Sequence, residues 1–173
     1  MARAILGCLL LLAPAGRAAE SASEYAVKAA FLYNFAKFVE WPARTFAGAA
    51  DPIVLCVLGE NPFGTLLDDA VRDKTVNGRQ IAVHESKTLS AAAGCHIVFL
   101  ASGSLDESLS ALANKSVLTV SDAESAVDRG AIIGLKLEER KVRFEVNLVA
   151  ARKARLKLSS QLLKIAVRLI GQL

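Results

Sequence analysis

Histidine is scarce in this chain: His84 and His96 are the two it has, and each sits alone inside a strand-like run. With no second histidine and no C-x-x-C nearby, the residue types argue against a transition-metal site, and no metal is expected. The usual phosphate cradles are missing as well. No G-x-G-x-x-G follows the first strand-like run and no Walker loop occurs; Gly59 and Gly64 have only turn spacing. There is no G-x-S-x-G elbow for acyl hydrolysis. A phospho-acceptor domain would want a carboxylate where this chain has Leu100-Ala101-Ser102. No cofactor and no catalytic residue are therefore expected. Acid is missing from the end of the chain, because no Asp or Glu follows Glu145. After the first residues, no apolar run nears the roughly 18 needed to cross a bilayer.

What is present begins with an export signal. Residues 1–19 read MARAILGCLLLLAPAGRAA: Arg3, then a short apolar run, then the small residues Gly16 and Ala18 around Arg17. That is the pattern of a cleaved signal peptide, expected over residues 1–18, with one domain over 19–173. Cys8 comes too early for a lipoprotein box. Without Arg3 and Arg17 the net charge falls from +4 to +2. The expected location is the periplasm, an oxidising compartment. Cys56 and Cys95 then remain as an even pair, which suggests a disulfide; two buried thiols are the other reading. Register argues against an easy bond. Cys56 lies mid-strand and Cys95 opens its strand, so aligned parallel neighbours would offset them by about 10 Å. A bond needs Cα atoms within about 7 Å.

Periodicity supplies the fold. Residues 21–40 read as a helix with Val27, Phe31, Asn34, Phe35 and Phe38 on one face, and with Lys28, Lys37 and Glu40 elsewhere. Seven of the ten aromatic residues lie between Tyr25 and Phe46. They are expected mainly in the core, with part of the surface open to a partner. Apolar runs at 52–59 and 95–101, with further strands near Gln80–His84 and in SVLTVS, alternate with short helices. Those helices follow Asn61-Pro62, cover TLSAAA and SLDESLSALAN, and run from an Asp122 cap to Gly130. Two alternating strands around Glu138–Lys141 form a hairpin, and two helices broken near Leu158-Ser159 close the chain. The expected fold is an α/β single-domain sandwich, with a mainly parallel sheet, a C-terminal antiparallel hairpin at its edge and helices on both faces. Alternation puts Arg143 and Glu145 on one face of the hairpin and Val142, Phe144 and Val146 on the other. The many cations of the last third read as a solvated face or the docking site of an acidic protein; export removes nucleic acid as a partner.

The blocks VKAAFLYNFAKFVEWP, CVLGENPFG, VNGRQIAV, CHIVFLA, VLTVSD, VRFEVN and LSSQLLKIA, in that order from Glu24 to Ile170, resemble the YfiR family of periplasmic proteins. The resemblance implies an α/β fold, a homodimer, and repression of an inner-membrane diguanylate cyclase through its periplasmic sensor domain. It implies release by an outer-membrane lipoprotein or by redox stress. Carried over by position, Cys56 and Cys95 match a disulfide pair, while Val127 and Gly134 stand where a second pair would be. Glu145, with Ile133 nearby, falls where the cyclase-binding surface is expected, and Arg143, on the same strand face as Glu145 by alternation, is expected to join it. Two other readings remain: a small-ligand-binding protein using the strand ends near Gly59–Phe63, and a redox enzyme working through Cys56 and Cys95.

Overall fold

An aromatic-rich helix opens the fold. Helix α1 (Ala15–Phe38) runs directly into the two-residue strand β1 (Val39–Glu40) in the computed structural model, which describes residues 15–101, 103 and 105–171. Most of the expected export segment, with Arg3 and Cys8, lies outside the described residues, as does Ser102. The buried stripe of α1 is Lys28, Ala29, Leu32, Phe35, Ala36 and Val39 just beyond it. It is rotated by about one position from the face expected above. Phe35 is fully buried, Phe31 and Phe38 are half-buried, and Val27 is 43% exposed. Lys28, expected outside, is inside.

Strand β2 (Ile53–Leu58) is buried on both faces, as its unbroken apolar run requires. Helix α2 (Leu66–Val71) begins later than Asn61-Pro62 suggested. Asn61 instead accepts the Phe63 amide with its side chain at 2.8 Å, a local turn that competes with helix. Next come β3 (Thr75–Val76) and β4 (Arg79–Ser86), an antiparallel pair joined by Asn77-Gly78, both at positive φ. Strand β5 (Ile97–Leu100), helix α3 (Leu105–Leu112) and strand β6 (Leu118–Ser121) follow the expected alternation. Residues 122–130, expected as a helix capped by Asp122, are a series of turns, because the Asp122 carboxylate is drawn to Lys28. Strands β7 (Ile133–Glu138) and β8 (Lys141–Asn147) form the hairpin. Its turn places Glu139 and Arg140 at φ 49° and 62°, which suits a two-residue turn matched to strand twist.

The end of the chain departs most from expectation. Helix α4 (Leu148–Lys153) is capped by Asn147, whose side chain accepts the Ala150 amide. After β9 (Lys157–Leu158), helix α5 (Ser160–Ile165) is capped by Ser159 as expected. It then stops, and Arg168–Ile170 return as strand β10, parallel to β8. The hairpin is therefore not the edge of the sheet. The order across the eight strands is β10-β8-β7-β6-β5-β2-β4-β3, and β1 pairs separately with β9. Strands β2, β4, β5, β6 and β7 are parallel to one another.

Strand alternation divides the core in two. On one face Leu55, Val57, Ile97, Phe99, Leu118, Val120, Ile133 and Phe144 pack against α1, α2 and Leu162 of α5. On the other, Cys56, Leu58, Val98 and Leu100 pack against Leu105, Leu109 and Leu112 of α3. The disulfide belongs to this second layer. Cys56 lies opposite Val98, so the three-residue offset from Cys95 is real. Cys95, however, has left the strand line. A turn at Gly94 (φ 93°) folds it over the sheet, and the two Cα atoms come to 6.0 Å.

Phe35 packs edge-on against Phe144 at 5.2 Å between ring centres and stacks on Phe31 at 5.7 Å. Phe35→Ala should cost about 3–5 kcal/mol, since a buried ring leaves a cavity that the two neighbouring elements cannot close. Phe38→Ala, at a half-buried site, should cost clearly less. Chemical denaturation of the two variants checks the contrast.

Candidate partner-binding surface

Four places in the fold gather polar or exposed apolar side chains. At the carboxyl ends of the strands, Lys28 is buried yet bonded to both Glu24 and Asp122, each at 2.6 Å, with its ammonium 4.3 Å above the Tyr25 ring. Burial works against its charge, but the hydrogen bonds to Asp122 and Glu24 outweigh it and hold its pKa above the ordinary lysine value. Burial, with the Asp122 charge beside it, raises the Tyr25 phenol. Close by, the Asn61 amide donates to Glu85 at 2.5 Å, beside the shallow hollow where Gly59 and Ser86 meet. The polar groups of these two clusters bond to one another across separate elements, so they brace α1 and the β2–α2 turn.

At the amino ends, His96 is a hub. Its backbone amide donates to Val54, its Nδ1 accepts the Val54 amide at 3.0 Å, and its carbonyl accepts the Leu118 amide and the Trp41 indole. Phe46 stacks on the imidazole at 4.4 Å, and Arg79 covers the far face of Phe46 at 4.0 Å. Burial lowers the His96 pKa; a bond to the Thr45 backbone and the Asp51 charge oppose this, and the Arg79 charge adds to it. Among the described residues, no group of three His, Cys, Asp or Glu side chains is placed to hold a metal ion.

The hairpin carries the residues expected to meet a partner, and the structure separates them. Arg143 is exposed. Glu145 is only 14% exposed, held by Lys136 at 3.1 Å and Arg168 at 3.5 Å. Arg168 is itself bonded through both guanidinium nitrogens to Asp128, at 2.5 and 2.8 Å, which pins β10 over the outer edge of β8. Ile133 is fully buried in the core, so its side chain has no surface to offer. Sequence reasoning missed a neighbouring feature. Between the first half of α1 and the tip of the hairpin runs an open groove of about 690 Å³. Val27, Phe31, Leu137 and Val142 line it, with Arg140, Lys141 and Arg143 on the hairpin side and Glu20, Ser23 and Glu24 on the helix side. Val27 and Leu137 are among the few exposed large apolar residues. The readable signal was Leu137 next to the hairpin turn, an apolar residue where solvent is expected.

A mainly parallel sheet packed on both faces, with an apolar groove along one helix, defines an α/β sandwich domain. The chain belongs to the YfiR/HmsC-like family: the family model, DUF4154, matches residues 25–167. No curated protein matches it. Among solved structures, it is similar to a conserved domain protein from Vibrio cholerae O1 biovar El Tor str. N16961, at 12% identity and TM-score 0.52, covering 68% of this chain and 54% of that one. It is also similar to an ABC domain in complex with L-Trp from Streptococcus pneumonia, at 8% identity and TM-score 0.51, covering 68% and 55%. The chain thus spans about half the length of these structures, and the likeness is one of fold.

Two predictions follow from this geometry. The His96 imidazole resists protonation in the folded chain, whereas in the unfolded chain it takes a proton near pH 6.5. Stability should therefore be complete above that value and fall as pH drops through and below it. Thermal melts at about pH 7.5 and 5.5 should show this, with the drop reduced in His96→Gln. Separately, a Cβ at Gly134 would meet Val127 Cγ1 at 3.1 Å, so these two positions face each other as a disulfide pair would. Val127→Cys with Gly134→Cys should close a second bond, worth about 2–3 kcal/mol for so short a loop before the lost packing of Val127 is subtracted. Thiol counting under non-reducing conditions, with a melt, tests it.

Proposed function

We propose that this chain is a periplasmic regulatory protein, not an enzyme, that binds the periplasmic sensor domain of an inner-membrane diguanylate cyclase and restrains cyclic di-GMP synthesis. Membership of the YfiR/HmsC-like family supports the regulatory role in cyclic di-GMP signalling. The signal-peptide pattern of residues 1–18 supports the periplasm, and no helix among the described residues is long and apolar enough to cross a membrane. The observation that carries the site is the groove between α1 and the hairpin. Exposed apolar side chains rimmed by polar ones mark protein interaction surfaces, and a rim with acids on the helix side and cations on the hairpin side can select a partner of matching charge pattern. Release by an outer-membrane lipoprotein and a homodimeric state belong to the same reading.

Glu145 serves this reading poorly as a test, because removing its charge leaves Lys136 and Arg168 without their shared acid. Arg143 and Leu137 are better placed. Arg143→Glu and Leu137→Asp should each fold with stability within about 0.5 kcal/mol of the parent, since both side chains are exposed. Each should raise cyclic di-GMP in cells carrying the cognate cyclase. Normal levels of both variants with unchanged cyclic di-GMP would move the interface elsewhere. Unchanged cyclic di-GMP on deleting the gene, with that cyclase expressed, would end the repressor reading.

A further inference from the structure

The two ends of the parallel strands differ in how their charges are matched. At the carboxyl ends acids accompany the cations: Lys28 is bonded to Glu24 and Asp122, Arg140 to Glu20, and Lys87 shares a hollow with Glu60 and Glu85. The amino ends carry cations without such partners, on separate segments of the chain. Arg44 and Lys115 border one shallow hollow, about 340 Å³, over Gly94 and Cys95. Arg155 donates to the Asn114 carbonyl at 3.5 Å and so stands beside Lys115. Lys153 borders the neighbouring groove, next to Val117. Among the described residues, none of these four makes an ion pair within 4.0 Å. The acids of the same edge are fewer: Asp51, which accepts the Gly48 amide, and Glu40, across from Lys157 in the β1–β9 pair. At this edge too lies Trp41, the sole tryptophan, half-buried, its indole N–H already donated inward to His96.

We propose that this edge docks on an anionic phospholipid surface. The cations come from three segments, the turn after β1, the α3–β6 turn and the end of α4, with long side chains and no ion partners. They form a front and not a pocket that would orient one ligand. A plane of phosphate headgroups complements such a front at any rotation, whereas an acidic protein would need matching positions. Trp41 adds an amphipathic ring of the kind that settles at membrane interfaces. The proposal goes beyond cyclase repression and does not depend on it, so the two can fail separately.

The test is co-sedimentation of the exported protein with vesicles of phosphatidylglycerol mixed with phosphatidylcholine, against phosphatidylcholine alone. Binding should require phosphatidylglycerol and should vanish as added salt shortens the Debye length from about 8 Å to about 3 Å. Lys115→Glu with Arg155→Glu should weaken it about 25-fold or more, at about fivefold for each cation near an anionic surface. Lys87→Glu, at the opposite end of the strands, should change it little, and circular dichroism and melting should show all variants folded. Brominated phosphatidylglycerol should quench Trp41 in the bound protein. Equal binding to phosphatidylcholine alone would overturn the proposal, as would equal loss in Lys87→Glu or a bound protein whose Trp41 is not quenched. Capture by polyglutamate without vesicle binding would also overturn it, in favour of an acidic protein partner.

Discussion

Helix α1 laid across the sheet is the constraint on which the rest depends. It is held at three heights. Near the carboxyl ends of the strands, Lys28 is bonded to Asp122, 94 residues later in the chain. In the middle, Phe35 packs on Phe144 of the hairpin. At the amino ends, β1 pairs with β9, Val39 opposite Leu158. These contacts differ in kind. The aromatic packing supplies most of the free energy, because burial of a ring scales with its area. The buried ion pair adds little net stability, since the desolvation of both charges offsets their attraction. Its contribution is register: a helix slipped by one turn would leave Lys28 buried without its acid, at a far greater cost.

That register decides what the surface offers. With α1 fixed by Lys28 and Phe35, Val27 and Phe31 fall on the flank of the buried stripe, facing the hairpin tip. The groove is the space left between the first half of α1 and the tip of the hairpin. Arg140 at the turn reaches Glu20 at 3.1 Å and closes one end of the groove without filling it. Both walls are rigid elements bound to one core, so the groove is preorganised and a partner would lose little by ordering it.

Much of this fold was legible in the sequence because the central strands are short, unbroken apolar runs that suit burial on both faces. IVLCVL, IVFL and LTVS gave β2, β5 and β6, and alternation in KVRFEVN gave the inward Phe144 and Val146. What was not legible depended on distant partners. Lys28 reads as a solvated residue until Asp122 arrives beside it, and the same contact removes the cap that Asp122 would have made for residues 122–130. Strand β10 reads as the last turn of a helix, since Ile165, Leu169 and their neighbours keep a helical spacing; only the open edge of β8 makes Arg168–Ile170 extended. Strand β3 was a different case: it was not expected from the sequence, although Asn77-Gly78 is a local turn signal of the kind that joins two antiparallel strands. For the candidate site, Arg143 was legible from alternation, while the burial of Glu145 under β10 and of Ile133 in the core was not.

The groove and the cationic edge lie at opposite ends of the same strands. The groove is built from the first half of α1 and the hairpin tip, both at the carboxyl ends. Arg44, Lys115 and Arg155 lie at the amino ends. Six residues of β2 at about 3.3 Å each separate the two by about 20 Å. Were the cationic edge to rest on the outer surface of the inner membrane, the groove would stand about that far above the lipid. A periplasmic domain tethered by transmembrane helices rises from the same surface, so both proteins would share one reference plane. Holding the regulator on that plane would replace a search through the volume of the periplasm by a search across the membrane. The effective concentration of groove and sensor domain would rise without any new contact between them. The unpaired cations would then serve encounter as the groove would serve recognition.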